Sequence, residues 1–124
     1  MTETDPTQVV RDFCGAWTSL DLDAIIGFFA EGATYHNIPL EPVTGTEAIR
    51  STIAGFTTGV ESIEFRIDHI AAAGPVVLTE RVDIFVTPDK RMELPVMGTF
   101  EVHDGKITAW RDYFDMNMFT SQLA

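Results

Sequence analysis

The period of the hydrophobic pattern changes near residue 62, and that change restricts the chain to few architectures. Before it, apolar residues recur at helical spacing. Asp5-Pro6 offers an N-cap followed by proline at the first helical position, with Gln8 placed for a capping box. Val9, Val10, Phe13, Trp17 and Leu20 then follow on one face. Asp21 can cap a second, shorter helix with Ile25, Ile26 and Phe29 inward and Gly32 at its end. Thr34 to Ile38 reads as a short strand closed by Pro39, and Thr46 to about Phe56 as a third helix. From Ser62 the period is two: Ile63, Phe65, Ile67 and His69 alternate with Glu64, Arg66 and Asp68. Strands are expected over 75–87, 92–102 and 106–115, with residues 116–124 as a tail that packs or closes a pocket. Helices first and strands afterwards predict an α+β fold, with helices covering one side of the sheet. Residues 1–124 are expected to form a single domain.

Two of these strands contain charges where a buried strand should have none. Thr79-Glu80-Arg81-Val82-Asp83 and Trp110-Arg111-Asp112-Tyr113-Phe114-Asp115 both place ionised groups in otherwise apolar runs. An unpaired charge in a core costs several kcal/mol, so such residues are exposed, paired or used. Alternation puts Arg81, Asp83 and Phe85 on one face and Val82, Ile84 and Val86 on the other. A turn at Pro88-Asp89 that pairs Thr87 with Met92 sets Arg81 opposite Gly98 and Asp83 opposite Val96. A three-residue bulged hairpin at His103-Asp104-Gly105 then sets Asp112 opposite Val96 as well, whereas a two-residue Asp-Gly turn would send it to the other face. In the first alignment Arg81 reaches both carboxylates across Gly98, which has no side chain to obstruct it. One guanidinium between two carboxylates can neutralise one and leave the other to hold a proton. Holding that proton at pH 7 takes a rise of about 3 pKa units. An acid and a base spaced for a water is one reading; an ion pair tying strands together is the other.

Composition removes several function classes. Nineteen Asp plus Glu against eight Lys plus Arg give a net charge of −11 with no basic cluster, so nucleic acid and anionic membranes are poor partners. No apolar run approaches the ~20 residues that span a bilayer, and no signal-peptide flanks are present, so cytoplasmic residence is expected. Cys14 is the sole cysteine and sits beside an apolar stripe, which suits core packing. His36, His69 and His103 share no spacing, so no metal is expected. No glycine pattern fits a phosphate loop. Tyr35 and Asn37 share a strand face and carry neutral hydrogen-bonding groups able to orient a water, or simply to satisfy each other at a strand edge. Phe56, Phe85, Leu94, Val96, Trp110, Phe114 and Phe119 are the candidates to line an apolar pocket.

Three segments together resemble the limonene-1,2-epoxide hydrolase family: Tyr35-His-Asn37-Ile-Pro-Leu, Leu78-Thr-Glu-Arg81-Val-Asp83, and Gly105-Lys-Ile-Thr-Ala-Trp-Arg-Asp112-Tyr-Phe-Asp115. The resemblance runs from the first helix to about Phe119, in one order and spacing. It implies an NTF2-like (cystatin-like, SnoaL-like) cone, in which N-terminal helices pack on a strongly curved mixed sheet around an internal pocket. It also implies one-step epoxide hydrolysis without a covalent intermediate, cofactor or metal. In that scheme Asp112 is the base, Asp83 the acid, Arg81 the bridge, and Tyr35 and Asn37 hold the water with Asp112. Homodimers are the family's usual state. A shorter N-terminal extension and the lining residues Phe56 and Phe85 depart from the limonene enzyme, so a small cyclic or aryl epoxide is the substrate class expected. A ketosteroid-isomerase-like proton transferase, which needs no arginine between two acids, and a non-catalytic ligand-binding module, in which Arg81, Asp83 and Asp112 are a buried ion network, are the competing functions.

Overall fold

Asp5 starts the first helix as its sequence suggests. The computed structural model describes residues 5–123, and in it Asp5 Oδ1 accepts from the Thr7 N–H at 3.1 Å. Gln8 donates to Asp12 instead of returning to the cap, so only half of the expected capping box forms. Helix α1 (Pro6–Ala16) buries Val9, Val10, Phe13 and Cys14, and a 3₁₀ turn at Trp17–Ser19 follows. Helix α2 (Leu22–Ile26) is capped by Asp21, and α3 (Thr46–Thr57) buries Ile49 and Ile53.

The strands are β1 (Phe29–Asn37), β2 (Val43–Thr44), β3 (Ser62–Ala73), β4 (Val76–Val86), β5 (Arg91–His103) and β6 (Lys106–Tyr113); helix α4 (Met116–Leu123) follows. They form one sheet in the order β2-β1-β6-β5-β4-β3. β1 runs parallel to β6 and the other pairs are antiparallel, so the sheet is mixed. Phe13 is the centre of the helix–sheet interface, with edge-on contacts to Trp17, Phe28, Phe29, Phe100 and Trp110 at 5.0–6.0 Å between centroids. Each such ring taken from water stabilises the fold by roughly 1.5–3 kcal/mol.

Four expectations need correction. The second helix does not reach Phe29 and Gly32. The Ile107 N–H donates to the Phe28 C=O at 2.9 Å, and this tertiary pairing draws Phe29 onward into β1. Gly32, at φ +80°, lies within β1 where its register against β6 shifts.

The β4–β5 ladder is displaced by two residues from the expected alignment. The Thr87 N–H donates to the Lys90 C=O, so the turn holds residues 87–90 and the ladder closes at Val86–Arg91. Arg81 therefore faces Val96, and Asp83 faces Leu94. A slip of two keeps every side chain on its face.

The β5–β6 hairpin is the two-residue form, Asp104-Gly105, with φ of +53° and +77° as a type I′ turn requires. That turn alone would point Asp112 away from Asp83. Between the pairs Val102–Ile107 and Glu101–Ala109, however, Thr108 is an extra residue, and this bulge restores the parity. Asp112 ends opposite Gly98. The two aspartates thus lie in different rows, with the Arg81–Val96 row between them.

Candidate active site

Arg81, Asp83 and Asp112 are all buried, although each carries a charge at neutral pH in its ordinary form. Their geometry explains how the fold tolerates this. Arg81 Nε donates to Asp83 Oδ1 at 2.9 Å and Nη2 to Asp83 Oδ2 at 2.9 Å. Nη1 and Nη2 donate to Asp112 Oδ1 and Oδ2 at 3.1 and 2.8 Å. A guanidinium has five N–H groups and these contacts use four. The fifth, on Nη1, donates to Thr79 Oγ1 at 3.3 Å. Phe65 and Phe100 approach the guanidinium carbon at 4.9 and 5.9 Å from their ring centroids.

Gly98 makes this packing possible. A Cβ there would overlap Arg81 Nη1 and lie 2.8 Å from Asp112 Oδ1 and 2.9 Å from Thr79 Oγ1. The absent side chain is the space the guanidinium occupies.

The two carboxylates are not equivalent. Asp112 Oδ1 also accepts from the Trp110 indole N–H at 2.7 Å. Three donors therefore converge on Asp112 and two on Asp83. Burial pushes the Asp83 carboxyl up to about 6; Arg81 opposes the rise and the Asp112 charge adds to it. For Arg81, burial acts downward, but the two carboxylates outweigh it and hold the guanidinium well above its ordinary value.

Tyr35 and Asn37 project from β1, where Tyr35 pairs with Trp110 and Asn37 with Asp112 across the parallel ladder. The Tyr35 ring stacks on Trp110 at 4.2 Å, with 10° between planes. Asn37 Nδ2 donates to Tyr35 Oη at 3.0 Å, and Tyr35 donates back to Asn37 Oδ1 at 3.2 Å. Burial, then the Asp112 charge, raises the Tyr35 phenol far above its ordinary range, so it stays a neutral hydroxyl.

Tyr35, Asn37, Asp83 and Asp112 open onto a cavity of about 390 Å³. Phe56, Phe85, Leu94, Val96, Phe114 and Phe119 line it. Trp110 does not: it is fully buried behind the wall, stacked between Tyr35 and Phe100, and its N–H is what it offers the polar groups of the site. Arg81 likewise lies beneath the lining at 1% exposure. Sequence reasoning passed over Phe65 and Met92 of the lining, and it anticipated Met116 and Leu123 only as part of a tail that packs or closes the pocket. It also passed over Thr79, although the donor count of Arg81 against two carboxylates already asks for a fifth acceptor. Cys14 is buried, and its thiol is pushed up to about 12 by burial, which removes it as a nucleophile. Among the described residues no group of His, Cys, Asp and Glu is arranged to hold a metal ion, and no helix is long and apolar enough to cross a membrane.

Comparison with known proteins agrees with this geometry. Residues 4–124 match the model of the limonene-1,2-epoxide hydrolase catalytic domain. The chain is 34% identical to epoxide hydrolase EphG of Mycobacterium tuberculosis, covering 99% of this chain and 88% of that one. A solved M. tuberculosis limonene-1,2-epoxide hydrolase-like enzyme superposes with a TM-score of 0.83 at 33% identity, over 95% of this chain and 89% of the other. The same α+β cone recurs in a protein described as a SnoaL-like polyketide cyclase from Shewanella denitrificans, with a TM-score of 0.86 but 18% identity, over 95% and 96% of the two chains. That second likeness concerns the fold alone. With the family's domain model spanning residues 4–124, this chain belongs to the limonene-1,2-epoxide hydrolase family and is an enzyme of its epoxide-hydrolase type.

Proposed function

We propose that the protein adds water to a small apolar epoxide, cyclic or aryl, giving a vicinal diol in one concerted step. The observation that carries this reading is the buried Asp83–Arg81–Asp112 bridge at the polar end of an apolar cavity. N–H donors favour a carboxylate that holds no proton, so Asp112, with three, serves as base and Asp83, with two, as acid. Tyr35 and Asn37 orient a water beside Asp112. As Asp112 takes its proton, the water oxygen attacks an epoxide carbon, the C–O bond breaks, and Asp83 protonates the departing oxygen. A proton then passes from Asp112 to Asp83 through solvent to restore the starting state. Arg81 touches neither reactant; with all five N–H groups engaged, it acts through its charge.

A value near 6 leaves Asp83 short of the rise needed to stay protonated at pH 7, so the reaction favours mildly acidic conditions. The cavity lies toward the small end of ligand pockets, which run roughly 300–1,000 Å³, and its six predicted apolar lining residues suit a hydrocarbon body. Homodimerisation, the family habit, has a candidate surface in Leu78, Met97 and Tyr113, exposed on the sheet face away from the cavity. Size-exclusion chromatography with light scattering tests it, and a monomer at micromolar concentration would refute it.

Cyclohexene oxide, styrene oxide and limonene oxide form the activity panel, and no diol from any of them defeats the reading. Asp83→Asn and Asp112→Asn should each lose about a thousandfold in turnover while keeping the wild-type circular dichroism. In ¹⁸O-water, a single turnover should put the label directly into the diol. Unlabelled first-turnover diol would reveal a carboxylate nucleophile instead.

A further inference from the structure

Helix α4 is anchored unlike the other helices. α1, α2 and α3 each bury at least two apolar side chains, whereas α4 buries none. Its Met116, Phe119 and Leu123 recur at i, i+3 and i+7, which puts them on one face, and all three line the cavity. A short helix whose apolar stripe meets a cavity lacks the packing that ordinarily stabilises helices.

Gln122 supplies a different attachment. Its Oε1 accepts from the Glu93 N–H at 2.9 Å, and its Nε2 donates to the Glu93 C=O at 2.9 Å. β6 pairs with β5 only as far as Met97, so Glu93 lies beyond it, and the amide makes the two bonds a further strand would make. Lys90 Nζ adds a contact to the Leu123 C=O. The first turn of α4 carries its own cap, since Asp115 Oδ1 accepts from the Asn117 and Met118 N–H groups. The helix therefore has a local cap at one end and a clasp at the other. Leu40 and Leu123 line the cavity while 54% and 48% exposed, so they mark its mouth.

We propose that α4 is a hinged wall of the active site, and that Gln122 is the positioning residue that closes it over substrate and releases it for entry and exit. The identity of the substrate rests on the epoxide-hydrolase reading; the motion does not.

Hydrogen exchange across residues 116–123 tests the motion, with cyclohexanecarboxamide as an unreactive probe whose C=O and NH₂ can face acid and base together. In the wild type, α4 amides should exchange faster than those of β4 and slow when the probe saturates the cavity. Gln122→Leu should speed exchange of α4 and of the Glu93 amide it clasps about tenfold and leave the rest of the sheet unchanged, with Gln122→Glu, which keeps only the acceptor, intermediate. KM for cyclohexene oxide should rise about tenfold in Gln122→Leu while kcat moves less than about twofold. Unchanged α4 exchange in Gln122→Leu overturns the clasp. Faster exchange with unchanged KM, or a fall in kcat alone, overturns the gate. If the wild type turns over no epoxide, the functional reading fails, and the probe-dependent protection of α4 still decides whether the wall closes.

Discussion

Arg81 and Gln122 each hold part of the cavity through a planar, forked group, but in opposite surroundings. Arg81 is fixed by five hydrogen bonds between strand interiors, under two aromatic rings and with no room for a Cβ beside it. Gln122 makes two bonds to one strand's backbone at the surface and a third to the Met118 C=O of its own helix, which buries nothing. Groups that must keep a fixed geometry are on the sheet, and groups that decide what enters are on a terminal helix. If that division is right, changes at the floor should remove chemistry, and changes at the mouth should alter affinity and selectivity.

Gly98→Ala is the severest test of the floor. The new methyl group would overlap Arg81 Nη1 and crowd Asp112 and Thr79, and all of these neighbours are buried. Overpacking of this kind costs about 1–3 kcal/mol, and the upper end is expected here. Turnover should fall at least about a hundredfold, because the guanidinium can no longer span both acids. A variant that melts near the wild type and keeps its rate would show that the bridge tolerates displacement.

Asp83 gives the floor a pH signature. Its carboxyl goes from an ordinary 3.8 to about 6 on folding, through burial first. Between those values the folded protein binds a proton that the unfolded chain has lost, so stability declines as pH rises from about 4 to about 6 and then levels off. The decline amounts to about 3 kcal/mol, read as wild type minus Asp83→Asn in denaturant titrations. Activity has the same sign: kcat/KM should drop as pH climbs past about 6, when the acid loses its proton. A profile flat to pH 8 would contradict the assignment of Asp83 as acid.

How much of this was legible in the sequence depended on whether the cause was local. The caps at Asp5 and Asp21 are set by side chains, and their chemistry is visible in a few neighbouring letters; the same letters located the turn at residues 103–105 but not its two-residue length. Alternation placed Arg81 and Asp83 on a common face, and that survived a two-residue error in register. The bulge at Thr108 was invisible because no glycine or proline marks it; it arises in tertiary pairing, where the register of β6 shifts against both β5 and β1. Two errors in the β5–β6 hairpin therefore cancelled, and Asp112 reached the expected face by a different route. Trp110 failed for another reason. It shares the face of Asp112, but period two cannot say where along a strand the cavity ends and the core begins.

Trp110→Phe isolates that residue's one polar contribution. Phenylalanine can keep the stack on Tyr35 and Phe100 and loses only the N–H that Asp112 accepts. A hydrogen bond to a charged group is worth about 1.5–3 kcal/mol, so kcat should fall about tenfold with KM nearly constant. A rise in KM instead would mean that Trp110 meets substrate after all.

The weakest effect is expected at the mouth, from Phe119→Ala. The ring belongs to α4, lines the cavity, and touches Phe114 edge-on with centroids 6.4 Å apart. Phe56 lines the same cavity but stacks on the buried Trp17 at 5.8 Å with 3° between planes, which ties it to the core. Phe56→Ala should accordingly cost the greater stability, while Phe119→Ala should cost less than about 1 kcal/mol. For a small epoxide, Phe119→Ala should raise KM by about three- to fivefold through lost apolar contact. A bulkier epoxide should lose less, or gain, because the wall it meets is thinner, and kcat should stay close to wild type for both. Competition between the two substrates in one vessel reads that shift directly. Equal losses for both, or a fall in kcat matching that of Trp110→Phe, would mean that α4 belongs to the floor and that the division between fixed chemistry and adjustable entry does not hold.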